Sequence, residues 1–198
     1  MTYPTDVKKV NADIKIVKKA FKDAGVPKAI VSAVETRALR SGRRQTGEFK
    51  SNRASRWKLK SNDPQYGSEL DCKIIFLRLL GMVLAFAKAP IIAPDVIDLL
   101  SMNYVGLPVN SGTYRDALLL EVLDYEEFKQ EAQAPKHGHS AFHIGHQDPT
   151  AVPKHVPDNI FWRTHRSNLI QGDMTLRQAR IYIIKLIARY FELGELPI

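Results

Sequence analysis

The stretch from Ile74 to Pro90 constrains this chain more than any other. It is strongly apolar, interrupted by Arg78 and Lys88. Those two charges and the short apolar length rule out a membrane span, so the segment reads as a buried helix, Glu69 to Lys88, broken by Pro90 and Pro94. Further helices are expected on periodicity and stop signals. Thr5 and Asp6 form a cap for Val7–Ala24, which places Val10, Ile14, Val17 and Phe21 at helical spacing and ends at Gly25 and Pro27. A helix from about Lys28 to Leu39, a short one over Asp95–Met102 and a longer one over Thr113–Gln133 follow. The acidic residues Glu121, Asp124, Glu126 and Glu127 of that last segment read most simply as a solvated face.

The 198 residues suffice for one large domain or two small ones with a real core, and 44% hydrophobic content with 25% charged residues is ordinary for a globular protein. Cys72 stands alone, which excludes a disulfide framework and a cysteine zinc cage. No apolar h-region follows Met1, and no run reaches membrane-spanning length, so a cytoplasmic protein without a membrane partner is expected. The net charge of +8 attracts polyanions, of which nucleic acid is the commonest. Much of that charge is local. Between Arg37 and Lys60 nine basic residues stand against one acid, Glu48, with Phe49 and Trp57 interspersed. This reads as a basic loop or arm whose Arg43, Arg44, Lys50, Arg53, Arg56 and Lys58 contact phosphates, or, more blandly, as a solvated loop.

All six histidines fall between His137 and His165. The window contains His143-Ile-Gly-His146-Gln-Asp148-Pro, then His155-Val-Pro-Asp-Asn159-Ile-Phe-Trp162, then Arg166-Ser-Asn168-Leu-Ile-Gln-Gly172. Strand-like Ala141–Ile144 is followed by a loop to Asp158, strand-like Asn159–Arg163, and a short helix from Thr164 to Gln171 closed by Gly172. Asp173 or Thr175 caps a final amphipathic helix, Leu176–Leu193. Imidazole suits proton abstraction from water near neutral pH, and asparagine offers the hard oxygen that Mg²⁺ accepts.

In order and spacing, the segment from Phe142 to Gly172, about one sixth of the chain, resembles the HNH (ββα-metal) nuclease family, with 13 residues from His146 to Asn159 and 9 more to Asn168. The resemblance implies a general base at His146, a loop-bracing Asn159 and a single-metal ligand at Asn168, with Arg163 and Arg166 clamping phosphate. The family's metal-binding acid or histidine before the base is replaced by Gly145, which resembles the Gly-His form of the non-specific ββα-metal nucleases and leaves His143, Asp148 or His165 as further ligand candidates. Thr164 and Ser167 occupy the family's cysteine places, so no structural zinc is expected, and Phe161, Trp162 and the last helix are expected to hold the motif together. His155 is read as structural, Trp162 as core, and His137 and His139 as linker residues.

The expected architecture is α+β and mostly α. A helical, basic DNA-binding region spans 1–135, and the HNH motif with its packed C-terminal helix spans 136–198. The wording is most similar to HNH-type restriction endonucleases. It implies a Mg²⁺-dependent type II enzyme cutting double-stranded DNA, with Mn²⁺ or another divalent ion able to substitute, and palindromic targets invite a homodimer. A non-specific nuclease, a homing or phage-type nickase, and a non-catalytic DNA-binding module with a degenerate site are the alternatives.

Overall fold

The structure of the protein is a computed structural model that describes residues 1–42, 44–46, 50–135 and 140–195, with backbone alone over 44–46 and 50–52. Its elements run α1 (Val7–Asp23), α2 (Lys28–Leu39), β1 (Arg44–Thr46), β2 (Lys50–Asn52), α3 (Glu69–Leu84), α4 (Pro94–Leu100), α5 (Tyr125–Gln133), β3 (Phe142–His146), β4 (Ile160–Thr164), α6 (His165–Gln171) and α7 (Leu176–Glu192). The expected mostly helical α+β fold is what forms.

Helix α3 is the axis of the molecule. Ser68 caps it, its Oγ accepting from Asp71 N at 3.0 Å, and every residue from Ile74 to Leu84 is buried. Helices α1, α2 and α4 pack around it. The charge within this apolar helix is matched by oxygen atoms: Arg78 Nη1 donates to Tyr3 Oη at 3.0 Å, Tyr104 O at 3.1 Å and Val105 O at 3.0 Å. The helix stops at Leu84, four residues short of the expected Lys88. Beyond it the backbone pairs elsewhere: Ala87 N donates to Leu123 O at 2.8 Å, and Tyr125 N donates to Ala87 O at 2.9 Å.

The helix expected over Thr113–Gln133 is a correction, because only Tyr125–Gln133 is helical. Asp116 folds the first half into a compact loop by accepting from Leu118 N at 2.8 Å and Leu119 N at 3.0 Å. A side chain that captures its neighbours' amides competes directly with helix formation. Asp124 then caps α5 through Glu126 N and Glu127 N and pairs with Lys88 at 2.7 Å. The basic arm is not a plain loop either. Antiparallel β1 and β2 pair Arg44 with Asn52 and Thr46 with Lys50, an Arg40–Ser55 bridge extends the ladder, and a 3₁₀ turn spans Arg56–Lys58. Arg43 lies outside the described residues.

Strands β3 and β4 form an antiparallel hairpin, with Phe142 opposite Thr164 and His146 opposite Ile160. Trp162 docks it on the body, donating from Nε1 to Leu79 O of α3 at 3.0 Å. Phe86 and Phe128 flank the Trp162 indole, with ring centroids 6.2 and 5.0 Å away, and Phe142 packs on both of them at 6.1 and 5.2 Å. The last helix does not hold the motif as expected. Of the residues of α7 only Ala179 is buried, and its apolar side faces outward. The hairpin's packing partners are α3 and α5 instead, because the Trp162 and Phe142 side chains point toward them.

Candidate active site

A cleft of about 360 Å³ opens where the end of β3 meets α6, lined among others by His146, Lys154, His165, Asn168 and Gln171. Each wall follows from local chemistry. Thr164 caps α6, its Oγ1 accepting from Ser167 N at 3.1 Å, which sets Asn168 one turn into the helix facing the hairpin. Gln171, near the other end, donates from Nε2 to His146 O at 2.8 Å and to Met174 O at 2.9 Å. The backbone that carries His146 is thereby tied to the helix that carries Asn168.

Asn159, buried just ahead of β4, closes the loop between the strands. Its Nδ2 donates to Asp148 O and Lys154 O, both at 2.8 Å, and its Oδ1 accepts from Asp148 N at 2.7 Å. Its backbone carbonyl takes Gln147 N at 2.9 Å. The residue directly after His146 is therefore fixed by the same side of the loop. His155 anchors the far end, with its Nε2 2.8 Å from Ala38 O of α2. Burial, Arg56 and His146 push the His155 imidazole down to about 3, against the Ala38 hydrogen bond, so it is neutral and donates from Nε2.

Burial first, then the positive charges of Lys154 and Arg56, lower His146 to about 4. A neutral imidazole near physiological pH is the form that accepts a proton. His143 is lowered too, chiefly by burial and then by His165 and Arg37, against the hydrogen bond between its Nε2 and Ser140 O at 2.9 Å. The rings of His143 and His165 lie 4.8 Å apart at the mouth of the cleft.

Asn168 Nδ2 donates to Ile144 O at 3.3 Å, which leaves Oδ1 as its acceptor oxygen over Gly145. A Cβ at position 145 would come within 2.5 Å of that oxygen and of Arg163 Cγ. The missing acid before His146 thus has a steric reason. Among the described residues there is no group of three His, Cys, Asp or Glu placed to hold a metal ion. The donor set that fits a cation here is one amide oxygen, Asn168 Oδ1, beside neutral imidazoles. Mg²⁺, which keeps most of its waters, is compatible with so few protein ligands.

Several sequence-selected residues lie elsewhere. Arg163 is 2% exposed. Its Nη2 donates to Gln171 Oε1 and its Nη1 sits 4.0 Å from Asp116 Oδ1, so this guanidinium braces the motif from inside and is removed from the phosphate-clamping set. Arg166 is exposed but lines a separate cavity with Glu121 and Glu127. Asp148 spends Oδ1 on Thr150 N at 2.8 Å and Thr150 Oγ1 at 2.6 Å and turns away from the cleft. Arg56 is partly buried and donates to Gln65 O at 3.1 Å. Arg53 and Lys58 are exposed, and the side chains of Arg44 and Lys50 lie outside the described residues.

Sequence reasoning missed three residues. Lys154 lines the cleft, though its Pro153-Lys154-His155 setting gave only a hint of it. Gln171 was visible as the residue before the capping Gly172. Asp116 carried no signal at all. It accepts from Thr164 N at 2.9 Å and Ser167 Oγ at 2.7 Å, fixing the start of α6. Burial raises its carboxyl, but hydrogen bonds from Leu119, Thr164, Ser167 and Leu118 outweigh that and hold it below the usual range.

No protein-family model matches the chain, and no curated protein matches it by sequence. Among solved structures, the crystal structure of a type II restriction endonuclease is similar, with a TM-score of 0.53 and 16% identity. The match covers 65% of this chain and 55% of that one, so the chain spans about half the length of the structure it resembles. At this identity the likeness is one of fold. Over the matched part the two chains share a fold, and among the described residues no helix is long and apolar enough to cross a membrane.

Proposed function

We propose that the protein is a Mg²⁺-dependent HNH endonuclease that hydrolyses phosphodiester bonds of double-stranded DNA, most like a sequence-specific type II restriction enzyme. One observation carries the reading: His146, held neutral, and Asn168 line a single cleft at the junction of hairpin and helix. His146 takes a proton from the attacking water. Asn159 fixes the loop and so the direction of that imidazole, and Lys154 at the rim of the cleft receives the phosphate. When bound at Asn168, Mg²⁺ or Mn²⁺ supplies Lewis-acid stabilisation of the negative charge on the reacting phosphate. The exposed Arg53 and Lys58, with the net charge of +8, serve the duplex outside the cleft.

A DNA-binding module without catalysis is the second reading, favoured by Gly145 and by the sparse ligand set. Digestion of plasmid and phage DNA with Mg²⁺, Mn²⁺ or EDTA, with His146→Ala alongside, separates the two. Discrete bands that need both metal and His146 establish a sequence-specific endonuclease. A metal-dependent smear moves the function to non-specific degradation. A gel shift without cleavage in any metal leaves the binding module.

A further inference from the structure

Among the described residues no hydrogen bond reaches the imidazole of His146 itself, so the direction of that ring is set through its backbone. A side chain that accepts a proton in catalysis normally has a partner that orients it. The strand pairing does not hold the His146 carbonyl either. Gln147 N donates to Asn159 O at 2.9 Å, and in an antiparallel pair the neighbouring residue then turns its carbonyl away from the partner strand. Gln171, 3% exposed, meets that carbonyl from the end of α6: its Nε2 donates to His146 O at 2.8 Å and to Met174 O at 2.9 Å.

The Gln171 amide fits only one way round. Arg163 offers donors alone and gives one to Gln171 Oε1, while the two carbonyls on the other side accept alone. Arg163 is buried, with Nη1 4.0 Å from Asp116 Oδ1. It has room to lie there because Gly145 carries no side chain: a Cβ would stand 2.5 Å from Arg163 Cγ. Asp116 also accepts from Thr164 N and Ser167 Oγ at the start of α6. One buried carboxylate therefore holds the first turn of the helix that carries Asn168 and, through Arg163, the amide at its last residue. Packing would be served by any side chain of this volume, whereas three partners of fixed polarity require this amide. We infer that Gln171 is the positioning residue of His146, holding the proton acceptor at a fixed place relative to Asn168, with Arg163 and Asp116 locking its amide. That role rests on the reading of His146 as the acceptor of the water proton.

Gln171→Glu keeps an acceptor for Arg163 and removes the donor to His146 O. Expected are a retained melting temperature, an unchanged DNA affinity in EDTA, and a single-turnover cleavage rate at saturating DNA lowered about a hundredfold, the loss that a displacement of about 1 Å produces. In the metal-free protein the His146 imidazole resonance, assigned by its absence in His146→Ala, is expected to split or broaden. If the buried carboxylate unfolds the chain, Gln171→Met, neutral and of similar volume, carries the same comparison. A rate that falls only in step with melting temperature and DNA affinity makes Gln171 a packing residue and overturns the proposal. So does a rate unchanged from that of an active wild type, and so does an unaltered resonance. A wild type that cleaves DNA in no metal ends the nuclease reading instead, and the resonance then decides the positioning role by itself: split or broadened it stands, unaltered it falls.

Discussion

Gly145 lies directly beneath the Asn168 side chain, so close that a Cβ there would stand 2.5 Å from Asn168 Oδ1. The glycine and the asparagine are thus one feature: the amide can lean over the strand only because the strand carries no side chain at that point. Restoring an acid by Gly145→Asp is therefore expected to displace Asn168 rather than add a ligand. Overpacking at such a site costs about 1–3 kcal/mol. A fall in melting temperature together with weaker Mn²⁺ binding by calorimetry is the expected result; a gain in metal affinity would show that the two can coexist.

Asn159→Ala removes three hydrogen bonds to the loop and leaves Asp148 N without its side-chain acceptor. Unsatisfied buried groups cost about 1–3 kcal/mol. Faster amide exchange at Asp148 and a cleavage rate lowered along with that of His146→Ala are expected, with DNA affinity in EDTA unchanged.

Acid should weaken the fold through its lowered histidines, above all His146 and His155. Their folded values, about 4 for His146 and about 3 for His155, lie below the ordinary 6.5, so the unfolded chain binds protons first as pH falls. The stabilisation is fully present above 6.5, is lost as pH drops toward those values, and changes at up to about 1.4 kcal/mol per pH unit per group. Chemical denaturation at a series of pH values checks this, and His155→Gln, which retains a donor for Ala38 O, should flatten the slope. Between about pH 6 and 8, protonation of His146 should not limit the cleavage rate.

Asp116 and Arg163 form a buried pair, 0% and 2% exposed at the side chain. Asp116→Ala withdraws the acceptor from Leu118, Leu119, Thr164 and Ser167 and leaves Arg163 as an uncompensated buried charge. Breaking such a pair costs about 3–5 kcal/mol. Loss of the near-ultraviolet signal of Trp162 and a large drop in unfolding free energy are expected. The double variant Asp116→Ala with Arg163→Met should recover part of it.

Lys154→Ala removes the cation at the rim of the cleft. Its DNA affinity should fall uniformly across sequences, with the salt dependence reduced by roughly one counterion. His146 should at the same time titrate higher, since Lys154 is one of the charges that lower it. Nuclear magnetic resonance of the imidazole reads that shift independently of cleavage.

Elements whose signals are local are legible in the residues themselves. The run of apolar residues around Ile74–Leu84 has no stable place outside a core, and Thr164, Gly172 and Thr175 mark the ends of α6 and the start of α7 through their own caps. The order of His146, Asn159 and Asn168 was legible because hairpin and helix are contiguous in the chain. The long-range choices belong to packing between distant parts of the chain. Asp116 meets Thr164 across 48 residues, His155 meets Ala38 across 117, and Trp162 meets Leu79 across 83. No periodicity records such partners. Arg163 and Arg166 look equivalent as text, yet strand and helix geometry sends one inward to Asp116 and Gln171 and leaves the other on the surface. The same physics bears on α7: its amphipathic pattern specified a helix that needs covering, but only packing could decide that its own body does not cover it.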